Sequence, residues 1–488
     1  MARGGHLSLK FLVSTFVLLT ASLCQSQLLS KKISPAESKS LAQVFSVGSN
    51  GGRGCLHTFR EDSPGLTSHR DVVKGQRALP TTSHDLTFVV QQRNMDQLTR
   101  ILHDVSDPAS ENYGNHMTKK EVIDLTSNPD SNNAVVAYLQ AAGADITLVE
   151  HGGSSITARG PISLWERMLN TEFYSYSLPS KMIDGELQSN TNTIHAHEFV
   201  RTEKYSVPLH LDKHVAFVMN TVQLPQFRST KVPVTKIESV DTVKSSKFSE
   251  ETVLYQGYVT PQLLNNAYGI DDNTGHPQAT QAAYETGGQV FSPQDLATFQ
   301  KDLKLPIRPA SEIIGNMTVT SKWCRENGYS ICAESNLDMM YMLAMADTPT
   351  ITYYSSERMS WFLVTVLYSP RPPPLVISIS YTSEERYVSR GEAATLEDAV
   401  KILGVMGVTV LASAGDDGVS PVPARLDASR CGYVPLYPAS CPYIVSVGAT
   451  QVSDYSRLHS ALAVVSWLIG EGSTFLCHLP LPLPALTS

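Results

Sequence analysis

Up to about Leu224, short segments with apolar residues at helical spacing alternate with short strand-like segments. This pattern is typical of a compact α+β unit. Apolar residues recur at helical spacing over residues 95–105, and Asp107-Pro108 ends this predicted helix. Further helices are predicted over residues 118–125, 132–142 and 162–169, and strands over residues 86–91, 146–150 and 155–158. Hairpins covered by two or three helices favour a ferredoxin-like, split βαβ arrangement.

Past Tyr258 the pattern changes to that of an α/β domain. Residues 375–381 and 408–412 are continuous apolar runs, which are typical of parallel strands buried on both faces. The amphipathic helix predicted between them, residues 392–405, completes a right-handed βαβ unit. We also predict a helix over residues 292–303, an extra strand or an insertion over 361–368, and a buried strand over 443–447.

Two acidic residues lie at the head of a further apolar helix. Residues 337–346 are good helix formers with few polar side chains, so Glu334 and Asp338 share one face, about one turn apart. Two negative charges there repel each other. In a partly buried site, one acid then holds a raised pKa or shares a proton, as a general base at acid pH does. The competing interpretation is a chance spacing, because short motifs of this kind are common.

A third acidic residue follows the predicted strand 408–412, in the segment Ser413-Ala414-Gly415-Asp416-Asp417-Gly418. Function in parallel α/β sheets lies beyond the carboxyl ends of the strands. Asp416 is therefore predicted to point into the same cleft as Glu334 and Asp338, where a protonated carboxyl can donate a hydrogen bond to an oxyanion. The competing interpretation is an ordinary Asp-Gly turn. The choice between Asp416 and Asp417 stays open at this stage.

Composition and charge exclude some partners and predict a compartment. The formal net charge is −8 over 488 residues and the pI is near 6.0, which gives no basic surface for nucleic acid. Residues 1–26 have the charged, apolar and small-residue regions of a secretory signal. No later stretch reaches about 18 apolar residues, so we expect no membrane span. The expected location is the secretory pathway, with the product either secreted or lysosomal or vacuolar.

Six cysteines remain after the predicted signal is removed. The close pairs Cys324/Cys332 and Cys431/Cys441 could each close a short disulfide loop, as the oxidising context favours. A zinc site is the competing interpretation, but no CxxC motif accompanies the cysteines.

Short segments from both halves of the chain, taken in sequence order, resemble segments of one family of peptidases. The first half contributes Leu86-Thr87-Phe88 and residues 106–114 with Met117-Thr118. The second half contributes Val259-Thr260-Pro261 and then residues 333–338, 376–381, 412–418, 437–443 and 447–450. These segments run from about residue 40 to residue 451. They resemble the sedolisin family of serine-carboxyl peptidases, and most of all its lysosomal tripeptidyl peptidase branch.

The resemblance implies a subtilisin-like parallel sheet with an altered triad. Glu334 would be the general base, Asp338 would hydrogen-bond to Glu334 and hold it in place, and Asp416 would be the oxyanion-hole acid. The family carries its serine in a Gly-Thr-Ser-Ala-Ser segment and a calcium site near its C-terminus. Neither segment is recognisable here, and the family pattern fades after about Gln451, so we expect a C-terminally truncated member.

The predicted organisation has five parts: a signal peptide (1–26), an activation propeptide (27–224), a linker with the processing site (225–255), the N-terminal part of a peptidase domain (256–451) and a divergent tail (452–488). The predicted function is an acid-acting, tripeptidyl-peptidase-like zymogen that cleaves peptides or unfolded proteins and is inhibited by its own propeptide. The alternative is a non-catalytic product that lacks the nucleophile and at most binds peptides or the intact enzyme.

Overall fold

A computed structural model gives the fold. It describes residues 57–69, 72–150, 152–178, 197–224, 259–270, 275–276, 278–286, 289–315, 318–328, 330–346, 348–354, 362–363, 366–367, 369, 371–420, 424 and 431–449. The predicted signal peptide, linker and divergent tail lie outside the described residues. Residues 57–224 form the N-terminal unit and residues 259–449 form the C-terminal unit.

The N-terminal unit is an α+β structure built on antiparallel strands. Its strands are β1 (His57–Asp62), β2 (Val73–Arg77), β3 (Ser83–Val90), β4 (Asp145–Val149), β5 (Ser155–Pro161), β6 (Tyr174–Leu178), β7 (His197–Arg201), β8 (Lys204–Pro208) and β9 (Val215–Met219). Its helices are α1 (Pro64–Ser68), α2 (Met95–Ser106), α3 (Lys119–Thr126), α4 (Pro129–Ala142) and α5 (Ile162–Leu169). Four strands form an antiparallel sheet in the order β4-β5-β3-β9, β2-β6-β7 form a second sheet, and β1 pairs with β8.

Local sequence signals set the helices of this unit. Thr118 and Glu121 form a reciprocal capping box at the start of α3. Asn128 caps α4, and Gly143, with φ 83°, ends it in the left-handed conformation that glycine adopts without strain. The helices and the four-stranded sheet enclose a core around the fully buried Trp165.

The C-terminal unit is an α/β structure with one parallel sheet. Its helices are α6 (Pro261–Tyr268), α7 (Pro293–Asp302), α8 (Ser321–Asn327), α9 (Ser330–Met345) and α10 (Arg390–Val405). Its strands are β10 (Gln281–Glu285), β11 (Glu312–Ile314), β12 (Thr350–Tyr354), β13 (Val376–Ile379), β14 (Ser383–Glu384), β15 (Thr409–Ser413), β16 (Leu436–Tyr437) and β17 (Val445–Val447). Six of them form a sheet in the order β11-β12-β10-β13-β15-β17, and every neighbouring pair is parallel.

The two units share one continuous hydrophobic core. Leu102 of α2 and Phe217 of β9 are buried together with Leu396 and Leu403 of α10. Close approach depends on Gly391 of α10, where a β-carbon would lie 2.6 Å from Cβ and Cγ of Phe217. Helix α10 therefore packs on the parallel sheet with one face and on the N-terminal unit with another.

The predicted helix over residues 162–169 is confirmed with both boundaries, and the other predicted helices and strands differ from the observed ones by only a few residues. Of the two alternatives predicted for residues 361–368, an extra strand or an insertion, the strand is wrong. Phe362, Leu363, Val366 and Leu367 lie in helical turns and are buried in the shared core, and their spacing suits a helix rather than a strand.

One predicted disulfide is confirmed and the other is wrong. Cys324 and Cys332 are bonded and join α8 to α9, with Cα atoms 6.1 Å apart. Cys441 carries a free thiol because it packs against the shared core, whereas Cys431 is disulfide-bonded elsewhere. No helix within the described ranges is long and apolar enough to cross a membrane.

Candidate active site

Three parallel strands end at one edge of the six-stranded sheet and carry polar side chains there. Tyr284 pairs with Ile379, and Ile379 pairs with Ala412, so the carboxyl ends of β10, β13 and β15 are level. Glu285 is the last residue of β10, Ser380 directly follows β13, and Asp416 follows β15. This is the edge at which open α/β sheets place their sites.

Helix α9 covers the same edge and supplies two more acids. Met339 and Leu343 pack with Ala283 of β10 in a small core, which fixes the rotation of the helix about its axis. Ser335 and Asp338 lie on this inward face and therefore meet the end of β10. Glu334 lies close enough for its negative charge to raise the pKa of Glu285.

Glu285 and Asp338 form a buried carboxyl pair held by hydroxyl groups. Ser335 Oγ and Tyr381 OH donate to Glu285 Oε2 at 2.8 Å and 2.7 Å. Ser380 Oγ donates to Asp338 Oδ1 at 2.9 Å, and the two carboxyls are hydrogen-bonded to each other. Among the described residues, Glu285 Oε1 and Asp338 Oδ2 are buried with no other donor. A proton shared between the two acids satisfies both oxygens.

The surroundings raise the pKa values of Glu285, Asp338 and Tyr381. Burial and then the negative charge of Asp338 raise the pKa of Glu285 well above its ordinary value. Burial raises the pKa of Asp338 to about 6, although hydrogen bonds from Ser380 and Glu285 act in the opposite direction. Burial and the charge of Glu285 also raise the pKa of Tyr381, so its hydroxyl remains a donor. The pair therefore takes up protons as the solution becomes acidic.

The backbone at Glu334 is held by a buried amide. The Glu334 N–H donates to Oε1 of Gln289 at 3.2 Å, and Gln289 is 1% exposed. This contact fixes the backbone at Glu334 against the loop that follows β10.

Asp416 occupies a tight, exposed turn two strands away from Glu285. Gly415 has φ 90°, the left-handed backbone conformation that favours glycine, and it lies against Leu436. The N–H of Ala414 donates to the carbonyl of Val447 at 2.8 Å and ties the turn to β17. Asp416 is exposed, whereas Asp417 is half-buried in the same turn. The three predicted acids thus lie at one edge of the sheet, with Asp338 deepest and Asp416 most open.

Sequence reasoning missed Glu285, the acid at the centre of the network. Its strand β10 reads Gln-Ala-Ala-Tyr-Glu, which has neither β-branched residues nor an alternating pattern. A signal was nevertheless present. The acid stands directly before Thr286-Gly287-Gly288, and paired glycines commonly mark the turn after a strand.

Within the described ranges, no three His, Cys, Asp or Glu side chains are grouped so that they could hold a metal ion. The calcium site that the resemblance implies stays a prediction.

Comparison with known proteins finds relatives for much of the chain. Residues 70–224 match the family Pro-kumamolisin, activation domain. Physarolisin of Physarum polycephalum is 26% identical over 385 residues, which cover 76% of this chain and 60% of physarolisin. The probable tripeptidyl-peptidase SED3 of Trichophyton verrucosum is 27% identical over 421 residues, which cover 80% of this chain and 67% of that protein. Over most of its length the chain is similar to peptidases of the sedolisin family.

The solved structure of a sedolisin is also similar. Pseudomonas sedolisin, a serine-carboxyl proteinase complexed with two molecules of pseudo-iodotyrostatin, is 18% identical, with a TM-score of 0.30. The similarity covers 39% of this chain and 53% of that one. The chain described here spans 60% of physarolisin and 67% of SED3.

Proposed function

We propose that this chain is the zymogen of a serine-carboxyl peptidase that hydrolyses peptide bonds at acid pH and removes tripeptides from N-termini. The observation that carries the proposal is the buried Glu285–Asp338 pair beside Glu334, at the sheet edge where Asp416 also lies. The names of the relatives support the tripeptidyl-peptidase activity.

Each acid has a separate role in the proposed reaction. Glu334 accepts the proton of a serine hydroxyl as that oxygen attacks the peptide carbonyl, and later returns a proton to the leaving amine. Asp338 orients Glu334, as the aspartate of a serine-protease triad orients its base. Asp416, protonated, donates a hydrogen bond to the carbonyl oxygen as it becomes negative. We assign no nucleophilic serine among the described residues.

Glu285 acts in this scheme through Asp338. A neutral Glu285 donates a hydrogen bond to Asp338 and accepts hydrogen bonds from Ser335 and Tyr381. The carboxyls of Glu285 and Asp338 are therefore fixed in position before substrate binds. The acid working range follows from the same contacts. Protons must remain on the buried pair, and the raised pKa values of Glu285 and Asp338 support this in acid solution.

The finer architecture belongs to the same proposal. In chain order β3, β4, β5 and β9 enclose helices in a βαββαβ arrangement, and their sheet order supports a ferredoxin-like propeptide. The parallel sheet with its acids at the carboxyl edge supports a subtilisin-like peptidase domain. We propose the same division of the chain into five parts that the sequence predicts, in which the propeptide inhibits its own peptidase domain. The disulfide Cys324–Cys332 supports passage through the secretory pathway.

Peptidase activity of the full chain tests the proposal. We expect a substrate with a free N-terminus to be cleaved after its third residue at about pH 4, with little activity at pH 7, because the essential acids lose their protons. Glu334→Gln should lower kcat at least about 100-fold, since it removes the proton acceptor. The matched control is Glu326→Gln, on the exposed end of α8.

Two results would contradict the peptidase proposal. One is a folded, acid-treated chain that cleaves no peptide, which would favour the non-catalytic alternative. The other is a Glu334→Gln variant that is as active as the Glu326→Gln control.

A further inference from the structure

A polar cavity lies where the two units meet. Its volume is about 180 Å³, and residues of β3, β5 and β9 form one wall while residues of α10 form the other. None of the acids of the candidate active site is among the described residues that line it. An engineered apolar cavity of about 150 Å³ holds benzene. The cavity between the units therefore has room for a molecule of about five or six heavy atoms.

The pairing of β3 with β5 brings three polar side chains to the first wall. Val89 lies opposite Ser155, and the Val90 N–H donates to the Ser154 carbonyl at 2.8 Å. Gln92 follows β3, and its Nε2 donates to the Val90 carbonyl at 3.3 Å. Gln92 Oε1 and the hydroxyls of Ser154 and Ser155 are buried, and none of them has a hydrogen-bond partner in the part of the chain that the structure describes. Each serine hydroxyl reaches a new partner by rotation about a single bond.

Helix α10 supplies one acid, Asp398, to the opposite wall. The charge of Lys401 acts on this carboxyl, but Lys401 Nζ is paired with Glu397 at 2.5 Å and lies 4.7 Å from the centre of the Tyr443 ring. The described residues that line the cavity include no Lys, Arg or His. The cavity therefore holds a negative charge that has no cation of its own.

The unpaired groups of both walls have acceptor oxygens in common, and one of these groups is charged. A buried carboxylate is costly unless a cation with hydrogen-bond donors is paired with it. A primary ammonium group has one positive charge and three N–H donors, which matches a carboxylate, an amide oxygen and hydroxyls. The rest of the wall is apolar and includes Phe217, Leu367 and Ile402, which suit a short hydrocarbon chain.

We propose that this cavity binds a short primary alkylammonium ion, whose N–H groups donate to Asp398, to Gln92 and to the two serine hydroxyls, and whose alkyl chain packs against the apolar wall. Because both units line the cavity, a bound ion stabilises the contact between α10 and the N-terminal unit. The consequence for latency rests on the proposed zymogen function. Binding itself is measurable without peptidase activity.

Calorimetric titration of the full chain with n-butylammonium chloride tests the site, with sodium chloride keeping the ionic strength constant. Burial raises the pKa of Asp398 to about 6, so the carboxyl is ionised at pH 7.5. We expect Asp398→Asn to weaken binding at least about 10-fold, because it removes a charged hydrogen-bond acceptor. The matched control, Asp302→Asn at the exposed end of α7, should bind like the native chain. 1-Butanol, which has the same chain length but no charge, should bind at least about 10-fold more weakly.

Ala394→Leu tests the cavity without removing the acid. Ala394 is an exposed residue of α10 at the cavity, and leucine there occupies part of the space while it remains a good helix former. We expect this variant to fold and to lose n-butylammonium binding.

Cleavage of the N-terminal unit by an added protease measures the effect on the contact. At an n-butylammonium concentration ten times its dissociation constant, the fraction of chains with separated units should fall about 10-fold, and the cleavage rate should fall with it. Asp398→Asn should show no such protection at the same concentration.

Three results would overturn the site. The first is no binding of n-butylammonium to the native chain, which would mean that the cavity holds only water. The second is equal binding by the native chain and Asp398→Asn, and the third is equal binding of n-butylammonium and 1-butanol. Should Asp398→Asn fail to fold, undiminished binding by Ala394→Leu would place the ion elsewhere. Binding by a chain that cleaves no peptide would leave the site standing and contradict only the proposed function.

Discussion

The carboxyl of Glu285 is completely buried, and the charge that lies closest to it is negative. Hydroxyls of Ser335 and Tyr381 both donate to one of its oxygens, and Asp338 contacts the carboxyl as well. A buried ionised acid needs a cation or several donors, and two neutral donors do not compensate a second acid beside it. Glu285 therefore stays protonated, and its proton serves the hydrogen bond to Asp338.

Replacing Glu285 by Gln removes the titratable group but keeps the size and shape of the side chain. The pKa of Glu285 is raised above the unfolded value of 4.5, so its contribution to stability is complete below pH 4.5 and is lost as the pH rises through the folded value. Glu285→Gln keeps the acceptor for both hydroxyls and donates permanently. We expect it to raise the free energy of unfolding at pH 7 by about 1–3 kcal/mol and to change it little at pH 4.

Urea unfolding at the two pH values measures this difference. Glu111→Gln, at an exposed position after α2, is the control and should shift neither curve. A Glu285→Gln variant that is less stable than the native chain at pH 7 would mean that Glu285 is ionised in the folded protein.

Most helices and strands were predictable because their signals are local. Helix α5 has apolar residues at helical spacing, and α4 begins and ends with a capping asparagine and a left-handed glycine. Strand β10 was not predictable by the same means. It lies between β12 and β13, and its five residues are all buried by neighbours distant in sequence, so tertiary contacts rather than local preference make it a strand.

The residues of the candidate site also divide into those with a local sequence signal and those without one. Glu334 and Asp338 share a helix and a spacing, and Asp416 sits in a glycine-bounded turn, so each carried a signal in its own segment. Glu285 joins them only through the parallel register of β10 and β13, which no single segment reveals. The Cys431/Cys441 prediction failed for a related reason. Proximity in sequence suggested a bond, but packing against the shared core places the Cys441 thiol elsewhere.

Helix α10 depends on the absence of a side chain at Gly391, where it meets the N-terminal unit. Alanine there would place a β-carbon 2.6 Å from Cβ and Cγ of Phe217. Although alanine favours a helix by about 1 kcal/mol over glycine, overpacking should dominate. We expect Gly391→Ala to lower the free energy of unfolding by about 1–3 kcal/mol and to make the N-terminal unit easier to cleave by added protease.

Gly432→Ala is the matched control for this substitution. A β-carbon at Gly432 meets nothing within 4 Å, so its unfolding curve and cleavage rate should match those of the native chain. Equal behaviour of the two variants would mean that α10 and Phe217 are not in close contact in solution.

The molecule as a whole responds to pH through two sets of groups with opposite signs. Inside the N-terminal unit, burial lowers the pKa of His84 and of His57, so these groups weaken that unit as the pH falls below 6.5. At the contact between the units, burial raises the pKa of Glu61, although the hydrogen bond that Glu61 accepts from the Gly391 N–H at 2.8 Å acts in the opposite direction. Acid therefore loosens the fold of the N-terminal unit while it favours the contact with α10.

Asp398 allows the second effect, the contact with α10 that acid favours, to be tested separately. It lies on α10 at a cavity of about 180 Å³ between the units, which Gln92, Ser154 and Ser155 also line. Burial raises the pKa of Asp398 to about 6 from 3.8, opposed by the charge of Lys401. Its contribution to the contact is therefore complete below pH 3.8 and is lost as the pH rises through 6.

Asp398→Asn should make the contact between the units independent of this titration. We expect the free energy of unfolding to rise by about 1–2 kcal/mol at pH 7 and to stay unchanged near pH 3.5, because Asn resembles the neutral acid. Urea unfolding at both pH values measures the change, with Asp302→Asn at the exposed end of α7 as control. If Asp398→Asn destabilised the chain at pH 7, the carboxylate would be ionised and paired at the contact, and acid would weaken the hold of α10 on the N-terminal unit rather than strengthen it.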